Sequence, residues 1–450
     1  MRYFLLTAFL ALAASASAQA QDPVLTGKEA FGDWRQDKPG VRRLIRPQDL
    51  PPAAPRQSSA NSAGKAAMPD EAAPLLPDGF SAELIASGLR GPRVVRVAPN
   101  GDLFVADSRA DRVLVYRLGE GGRKLEESVF ADGLNQPYGI AFHPADKPRW
   151  VYIANSDGVV RFPYKDGDLT ASAAAETVVS GIPSNHHWTR DIAFSPDGKT
   201  LYLSVGSGSN VAEGIGAEPP GGLDAWTGSQ ALGAVWGSEE GRAQVRAYDP
   251  DGGNGRVVAT GLRNCSGIAV QPATGDLWCV VNERDGLGDD VPFEYATTVR
   301  QGAFYGWPWY YLGDHEDPRR AGERPDLAGK ATVPDVLMQA HSAPLTIAFY
   351  TGESFPAEYR GDAFVALHGS WNRGKRTGYK VVRLRFEDGR PTGEYEDFMT
   401  GFVVSDAEVW GRPVGVAVAK DGALIVTEDG AGTIWRVAYD GERRSGDRLE

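Results

Sequence analysis

The chain has 450 residues, and its 47 Lys and Arg against 59 Asp and Glu give a formal charge of −12. This balance argues against nucleic acid or an anionic membrane surface as the main partner, because neither attracts a negatively charged protein. Hydrophobic residues make up 42%, which is enough for a large core, and the 55 glycines and 30 prolines favour many short strands joined by turns.

The first 20 residues have the pattern of a secretory signal peptide. Arg2 precedes an apolar stretch at positions 3–14, and small residues at 16–18 or 18–20 suit cleavage. The stretch is too short to span a bilayer, and an uncleaved anchor is the alternative interpretation. We therefore expect an exported protein, either periplasmic or secreted.

Residues 21–75 differ in composition from the rest of the chain. Short apolar segments at 31–34 and 41–45 could pack on a domain surface, whereas the stretch from Pro51 to Pro74 is rich in Pro, Ala and Ser. These features predict an N-terminal arm and linker without a core of its own. The main domain is expected at 76–440 and a C-terminal tail at 441–450.

From about Leu76 onwards, one strand–turn–strand unit repeats six times. The first strands of the copies are expected near 94–98, 139–142, 192–194, 267–270, 346–349 and 414–417. Six units of about four strands predict an all-β, six-bladed β-propeller, with a sandwich or irregular barrel as the alternative. Extra length at about 212–240 and 310–340 predicts long loops over one mouth of the channel.

In a propeller, the starts of the first strands and the ends of the second strands open on the same face. The polar residues at these positions include Arg93, Gln136, His187, Arg263, Asn264, Asn282, Arg284, Asp285, His341, Arg373, Arg412 and Asp429. Arginine forks pair with carboxylates or phosphates, turn carbonyls and carboxylates suit Ca²⁺, and histidine can act as a general base. The pattern therefore predicts a small anionic ligand together with a hard cation.

Other common cofactor and nucleophile motifs are missing from the sequence. It contains no GxGxxG after a strand, no P-loop, no GxSxG and no CxxCH haem attachment site. Its two cysteines, Cys265 and Cys279, flank one predicted strand–turn–strand unit. In an exported chain they could form a disulfide, and two buried free thiols are the alternative.

Five segments, at 185–198, 261–267, 282–290, 305–308 and 410–413, follow one another in the order found in a known family. In these segments the chain resembles the soluble pyrroloquinoline quinone (PQQ)-dependent sugar dehydrogenases, most closely the L-sorbosone dehydrogenase-like branch, over residues 76 to 440. The resemblance implies PQQ and Ca²⁺ as cofactors. It also implies oxidation of an aldose or aldehyde sugar to the lactone or acid by hydride transfer, with a cytochrome or quinone as separate electron acceptor.

The resemblance also implies roles for individual residues. His187 matches the catalytic base, and His186 is the neighbouring candidate. Arg263 would stabilise charge that develops on the quinone, and Asn264 would hold the cofactor. The backbone carbonyls of Arg284 and Asp285 would bind a Ca²⁺ that polarises the quinone.

The remaining cofactor contacts depart from the family pattern. Arg412 would pair with a PQQ carboxylate, but Trp410 stands where the glucose-oxidising branch has a second arginine. The family's PQQ-binding lysine has no clear counterpart, and Arg373 or the pair Trp371–Asn372 would have to replace it. The candidates for the substrate site are Gln136, His186 and Trp307.

Two other classes of function fit the same architecture. A Ca²⁺-dependent lactonase or related hydrolase would centre its metal on Glu, Asn and Asp side chains and would not need a cluster of arginines. A non-catalytic propeller that binds carbohydrate or protein would need neither the polar ring nor His187. The arginine-rich mouth favours the dehydrogenase over both.

Overall fold

A computed structural model of the chain describes residues 23–69 and 73–441; the predicted signal peptide and most of the predicted tail lie outside this part. Six antiparallel sheets surround a central channel, which confirms the six-bladed β-propeller. The innermost strands contact one another in sequence from blade 1 to blade 6, and the innermost strand of blade 6 contacts that of blade 1. The ring is therefore closed.

Each blade has four strands, which follow one another from the channel outwards. Blade 1 consists of Pro92–Val97, Leu103–Asp107, Arg112–Leu118 and Lys124–Ala131, and blade 2 of Ile140–His143, Trp150–Asn155, Gly158–Pro163 and Glu176–Val179. Blade 3 consists of Ile192–Phe194, Leu201–Val205, Gln244–Tyr248 and Arg256–Thr260, and blade 4 of Cys265–Val270, Leu277–Val281, Glu294–Thr298 and Val336–Met338. Blade 5 consists of Pro344–Phe349, Ala363–Leu367, Lys380–Glu387 and Arg390–Met399, and blade 6 of Pro413–Val418, Leu424–Glu428, Thr433–Tyr439 and Phe80–Ala86.

Blade 6 joins the two ends of the propeller domain. Its outermost strand, Phe80–Ala86, comes from the start of the domain and pairs antiparallel with Thr433–Tyr439 near the end of the chain. The repeat pattern did not indicate this closure, because its first copy begins after Phe80–Ala86. The main-chain hydrogen bonds of this pair fasten the ring.

The second strand of each blade is mostly apolar, which fits its position between neighbouring blades that cover both of its faces. In Leu103–Asp107 and Ala363–Leu367 every residue is buried. The outer strand Lys124–Ala131 is instead exposed over most of its length. In blade 4, a disulfide of 2.06 Å between Cys265 and Cys279 links the first two strands, which confirms the predicted pairing.

The N-terminal arm is attached to the propeller by strand pairing. Arg42–Leu44 pairs antiparallel with the outer strand of blade 5, and Leu25–Thr26 pairs with Arg42–Leu44 in parallel. Gly64–Lys65 pairs in parallel with Glu408–Val409. The arm therefore extends the sheet of blade 5, and its buried Ala30 and Ile45 belong to the propeller's own core.

The long loops leave blades 3 and 4. They carry the helix Leu223–Ser229 and the short strands Tyr310–Tyr311 and His315–Glu316. Their aromatic side chains pack mainly on one another: Trp226, Trp236, Phe304, Trp307, Trp309 and Tyr310. The remaining elements are single 3₁₀ turns at Gly27–Phe31, Trp34–Gln36, Pro47–Asp49, Pro55–Gln57, Ser108–Ala110, Glu120–Gly122, Gly237–Glu239, Pro325–Leu327 and Ala357–Tyr359. Within the described ranges, no helix has the length and apolar character needed to cross a membrane.

Candidate active site

His187 lies just before the inner strand of blade 3, and the end of the adjacent strand fixes its ring. Nδ1 is 3.0 Å from the carbonyl oxygen of Ser207 and 2.9 Å from its hydroxyl oxygen. A carbonyl can only accept a hydrogen bond, so this contact assigns the proton to Nδ1. Nε2 is then unprotonated, and it has no hydrogen-bond partner in the part of the chain that the structure describes. His187 therefore presents a free proton acceptor.

The surroundings of His187 favour its neutral form. Burial, and then the positive charge of Arg263, lower the pKa of His187 well below its ordinary value of 6.5. The exposed ring of His186 packs edge-on against it, with the ring centres 4.3 Å apart. At neutral pH, His187 is thus ready to accept a proton, and His186 lies beside it on the solvent side.

A glycine allows His187 and Asn264 to approach each other. A Cβ atom on Gly206 would lie 2.5 Å from Oδ1 of Asn264 and 2.7 Å from Cβ of His187, so no larger residue fits there without movement. Asn264 is buried, and its Nδ2 donates to Oδ1 of Asn282 at 3.4 Å. Its own Oδ1 has no hydrogen-bond partner among the described residues. This buried acceptor next to His187 is available to a ligand.

Arg263 lies two residues before the inner strand of blade 4 and is 4% exposed. Its Nε and Nη2 donate to the backbone and side-chain oxygens of Asn210 at 3.1 and 3.0 Å, and its Nη1 donates to the carbonyl of Glu283 at 2.9 Å. The carboxylate of Asp285 is 3.5 Å away. These contacts hold the guanidinium in one orientation and leave its charge only loosely paired.

The predicted calcium loop lies beside Arg263. Nδ2 of Asn210 donates to the carbonyl of Asp285 at 2.9 Å, and the amide of Asp285 donates back to Oδ1 of Asn210 at 2.9 Å. The Asp285 carboxylate is 3.5 Å from Nδ1 of buried His341, whose Nε2 contacts the carbonyl of Gly288 at 2.9 Å. The Arg284 side chain points elsewhere, to Asp317 at 3.3 Å. Residues 23–69 and 73–441 contain no group of three or more His, Cys, Asp or Glu arranged to hold a metal, so a cation at this loop would depend on carbonyl oxygens.

A second polar group is centred on Asp429, after the second strand of blade 6. The carboxylate accepts hydrogen bonds from Nη1 of Arg93 at 2.8 Å and from Nε2 of His368 at 2.9 Å, and Nε of Arg412 lies 2.9 Å from it. Burial by itself would raise the pKa of Asp429, but His368, Arg93 and Arg412 together lower it. Two guanidinium groups thus share one carboxylate, and the group keeps a net positive charge.

Aromatic rings connect this Asp429 group to His187. The guanidinium of Arg93 lies over the rings of Trp188 and Tyr138, at 5.4 and 5.7 Å from their centres. Trp188 follows His187 in the chain. The two polar groups and the rings between them, here called the mouth surface, therefore carry a base at one end and excess positive charge at the other.

Four predicted site residues lie outside this surface. Trp410 packs in the core against Phe402 and donates to the carbonyl of Gly401. Trp307 is buried in the loop cluster, and its indole donates to the carbonyl of Asn210 at 2.9 Å. These two indoles are enclosed because large apolar rings gain most from burial.

The other two are held by different polar partners. Arg373 is paired with Asp290 at 2.7 Å and donates to carbonyls of the N-terminal arm. Gln136 is exposed on the blade 2 side, where its Oε1 accepts from Ser156 at 3.3 Å. Ser207 and Asn210, which follow the second strand of blade 3, received no role from the sequence; in the structure they orient His187 and Arg263.

Residues 74–294 and 322–440 match the TrAA12-like family, and the chain belongs to it. A PQQ-dependent pyranose dehydrogenase from Coprinopsis cinerea is 25% identical over 418 residues, covering 80% of this chain and 53% of that protein. The chain thus spans about half the length of this relative. The chain is also similar to a holo structure of the PQQ domain from the C. cinerea pyranose dehydrogenase. The match covers 84% of this chain and 98% of that domain, with 23% identity and a TM-score of 0.66. A match to a calcium structure of a Trichoderma reesei family AA12 enzyme covers 85% of this chain and 99% of that enzyme, with 23% identity and a TM-score of 0.67.

Proposed function

We propose that the protein is a PQQ- and Ca²⁺-dependent dehydrogenase that oxidises an aldose or aldehyde sugar, such as sorbosone, to the lactone or acid. The observation that carries this proposal is the pairing of an unprotonated, partly buried imidazole with a fixed guanidinium: His187 has a free Nε2, and Arg263 lies close enough to lower the pKa of His187. Membership of the TrAA12-like family and the PQQ-dependent relative support the same assignment.

The residues at the mouth suit a planar, polycarboxylated quinone. Oδ1 of Asn264 and Nε of Arg93 are buried atoms without hydrogen-bond partners among the described residues. The Asp429 group carries excess positive charge, which suits carboxylates at the end of the mouth away from His187. We assign Arg412 and Arg93 to the carboxylates, and Asn264 and Arg263 to the quinone end.

Each residue then has a defined task. When bound, PQQ supplies the acceptor for the two electrons that leave the sugar as hydride. Nε2 of His187 takes the proton from the sugar hydroxyl. Its Nδ1–H remains hydrogen-bonded to the carbonyl of Ser207 and keeps the ring in place. Arg263, held by Asn210 and Glu283, stabilises the negative charge that develops beside it without having to move.

We assign the cation site to the carbonyls of Arg284 and Asp285. Calcium takes oxygen ligands in a flexible geometry, and the Asp285 carbonyl already lies in a loop fixed by Asn210. The calcium structure of the related T. reesei enzyme supports Ca²⁺ as the cation. We further propose that the chain is exported, which is consistent with its disulfide, and that a separate cytochrome or quinone collects the electrons.

The decisive experiment is an absorbance titration of the purified protein with PQQ, with and without Ca²⁺, followed by a panel of aldoses and sorbosone with a dye acceptor. We expect stoichiometric, Ca²⁺-dependent binding and bleaching of the oxidised cofactor by at least one sugar. The His187→Asn variant should bind PQQ but remain unbleached. No binding of PQQ by the wild-type protein would overturn the proposal and favour the lactonase or binding propeller.

A further inference from the structure

A polar cavity of about 420 Å³ lies on the flank of blade 3, and none of its lining residues belongs to the mouth surface. Its walls are the two outer strands of the blade, Gln244–Tyr248 and Arg256–Thr260, and the loop that precedes them. Three arginines line it, Arg242, Arg246 and Arg256, with Glu240 as the one acidic residue of the lining. A fourth arginine, Arg190, lies next to the cavity and donates to the carbonyl of Pro183, which is part of the lining.

None of these four arginines forms an ion pair within 4.0 Å in the described chain, and the buried carboxylate of Glu239, whose charge acts on Arg242, is held by Gly208 and Ser209. Elsewhere in the described chain, the buried Arg43 and Arg383 contact Asp397 and Asp362 at 2.7 and 2.5 Å. Arg190 and Arg242 are 0% and 3% exposed, and the Nε of each lacks any hydrogen-bond partner among the described residues. The cavity therefore combines unpaired charge with unused donors.

The hydrogen bonds that these arginines do make go to neutral oxygens. Arg190 donates to the carbonyls of His187 and Thr189 at 2.8 and 2.6 Å. Arg242 donates to the carbonyl of Asn185 at 3.1 Å, and Arg246 to that of Gly241 at 2.6 Å. Carbonyls satisfy donors but do not neutralise charge, so positive charge accumulates around the cavity.

The accumulated charge is unfavourable when the cavity holds only water. Burial, together with the charges of Arg242 and Arg246, lowers the pKa of Arg190 to about 9. Like charges in a poorly solvated region repel strongly, and an anion between them would remove the repulsion. Guanidinium forks bind carboxylate and phosphate oxygens in pairs, so such an anion would also supply the missing acceptors.

We infer that this cavity is a binding site for a small oxyanion that carries carboxylate or phosphate groups. It is separate from the proposed cofactor site and does not depend on the dehydrogenase assignment. A neutral sugar would leave the positive charge uncompensated, and a cation would increase it. Arg190 and Arg242 also hold the carbonyls of residues 185–189, so a bound anion would brace the segment that carries His187.

The test is calorimetric titration of the full-length protein with inorganic phosphate and with citrate, each at constant ionic strength. We expect saturable binding of one anion per chain, and the stronger of the two ligands identifies the chemical group. The Arg246→Gln/Arg256→Gln double variant should bind about tenfold more weakly or worse, because two charge-assisted contacts are lost. Arg123→Gln, which removes an exposed charge on blade 1, is the matched control and should not change the affinity.

A variant that is expected to strengthen anion binding shows that a loss of affinity in the double variant is not caused by misfolding. Glu240 is exposed and lines the cavity, so Glu240→Gln should tighten binding about twofold or more by removing the repelling charge. Crystals soaked in selenate should show an anomalous peak within the cavity. No saturable binding to the wild-type protein, unchanged affinity in the double variant, or a selenate-soaked cavity without a peak would each overturn the inference.

Discussion

Ser207 holds His187 through two oxygens at once: its carbonyl lies 3.0 Å and its hydroxyl 2.9 Å from Nδ1 of the imidazole. The hydroxyl in turn donates to the carbonyl of Ser209 at 2.7 Å, so it is itself oriented. The imidazole is therefore fixed in tautomer and in rotation before any substrate arrives. This preorganisation distinguishes His187 from the exposed His186 next to it.

Replacement of His187 should separate catalysis from binding. In His187→Asn we expect kcat to fall by about 10²–10⁴, because the proton acceptor is lost, while PQQ affinity changes little. His186→Asn is the matched control and should keep kcat within a few-fold. The measurement is dye-linked turnover of the PQQ-loaded protein. If His187→Asn retained most of its activity, the base would have to be another group.

The pH dependence of activity should reflect the depressed pKa of His187. The base works in its neutral form, so kcat/KM should stay constant as the pH falls through 6.5 and should decline only well below it. In Arg263→Gln, the loss of a positive charge should raise the pKa of His187 and move this decline to higher pH. A pH–rate profile measures the position of the decline independently of the absolute rate. An unmoved profile would mean that the two groups do not interact.

Asn210 should couple Arg263 to the predicted calcium loop. Its side chain makes three hydrogen bonds, one with Arg263 at 3.0 Å and two with the backbone of Asp285 at 2.9 Å. In Asn210→Ala these groups lose their partner, and we expect the protein to bind Ca²⁺ about tenfold more weakly. Asn254→Ala, on a surface turn of blade 3, is the control. Calcium titration of both variants measures the two affinities. Equal affinities would mean that Asn210 does not support the cation site.

The arm should contribute to stability through a buried cluster of ion pairs, in which Arg43 and Lys380 both contact Asp37 and Asp397. Arg43 is 0% exposed and contacts Asp397 at 2.7 Å and Asp37 at 2.9 Å. Arg43→Ala leaves buried carboxylates without this partner and should lower the free energy of unfolding by about 3–5 kcal/mol. Lys124→Ala, which removes an exposed ion pair with Glu127, should cost about 1 kcal/mol or less. Urea denaturation compares the two, and similar losses would contradict this role for Arg43.

The sequence was sufficient for the propeller because each blade repeats the same alternation of short apolar strands and turns. It also placed His187 and Arg263 at the mouth, since strand starts and strand ends in a propeller share one face. Arg373 shows where this reasoning stops. Its partners include the carbonyl of Phe31, which lies more than 300 residues earlier in the chain, and no local pattern reveals a contact of that kind.

Trp410 and the arm illustrate the same limit for packing. The sequence shows that Trp410 follows a turn, but only the folded core shows that Phe402 and Trp435 enclose it. The composition of residues 51–74 predicted a linker, yet Gly64–Lys65 pairs with Glu408–Val409, a strand outside the six repeated units. Whether such a segment forms a strand depends on a pairing partner that is far away in the chain.

The strand Phe80–Ala86 is synthesised long before the strand with which it pairs. It leaves the ribosome among the first parts of the propeller, whereas Thr433–Tyr439 is among the last, so at ordinary rates of translation it stays unpaired for tens of seconds. An open strand edge is a template for aggregation. This strand carries Ser81 and the exposed Glu83, and only its last two residues are buried. Although the strand also carries Phe80, Leu84 and Ile85, its shortness and the charge of Glu83 limit pairing with other chains until its partner appears.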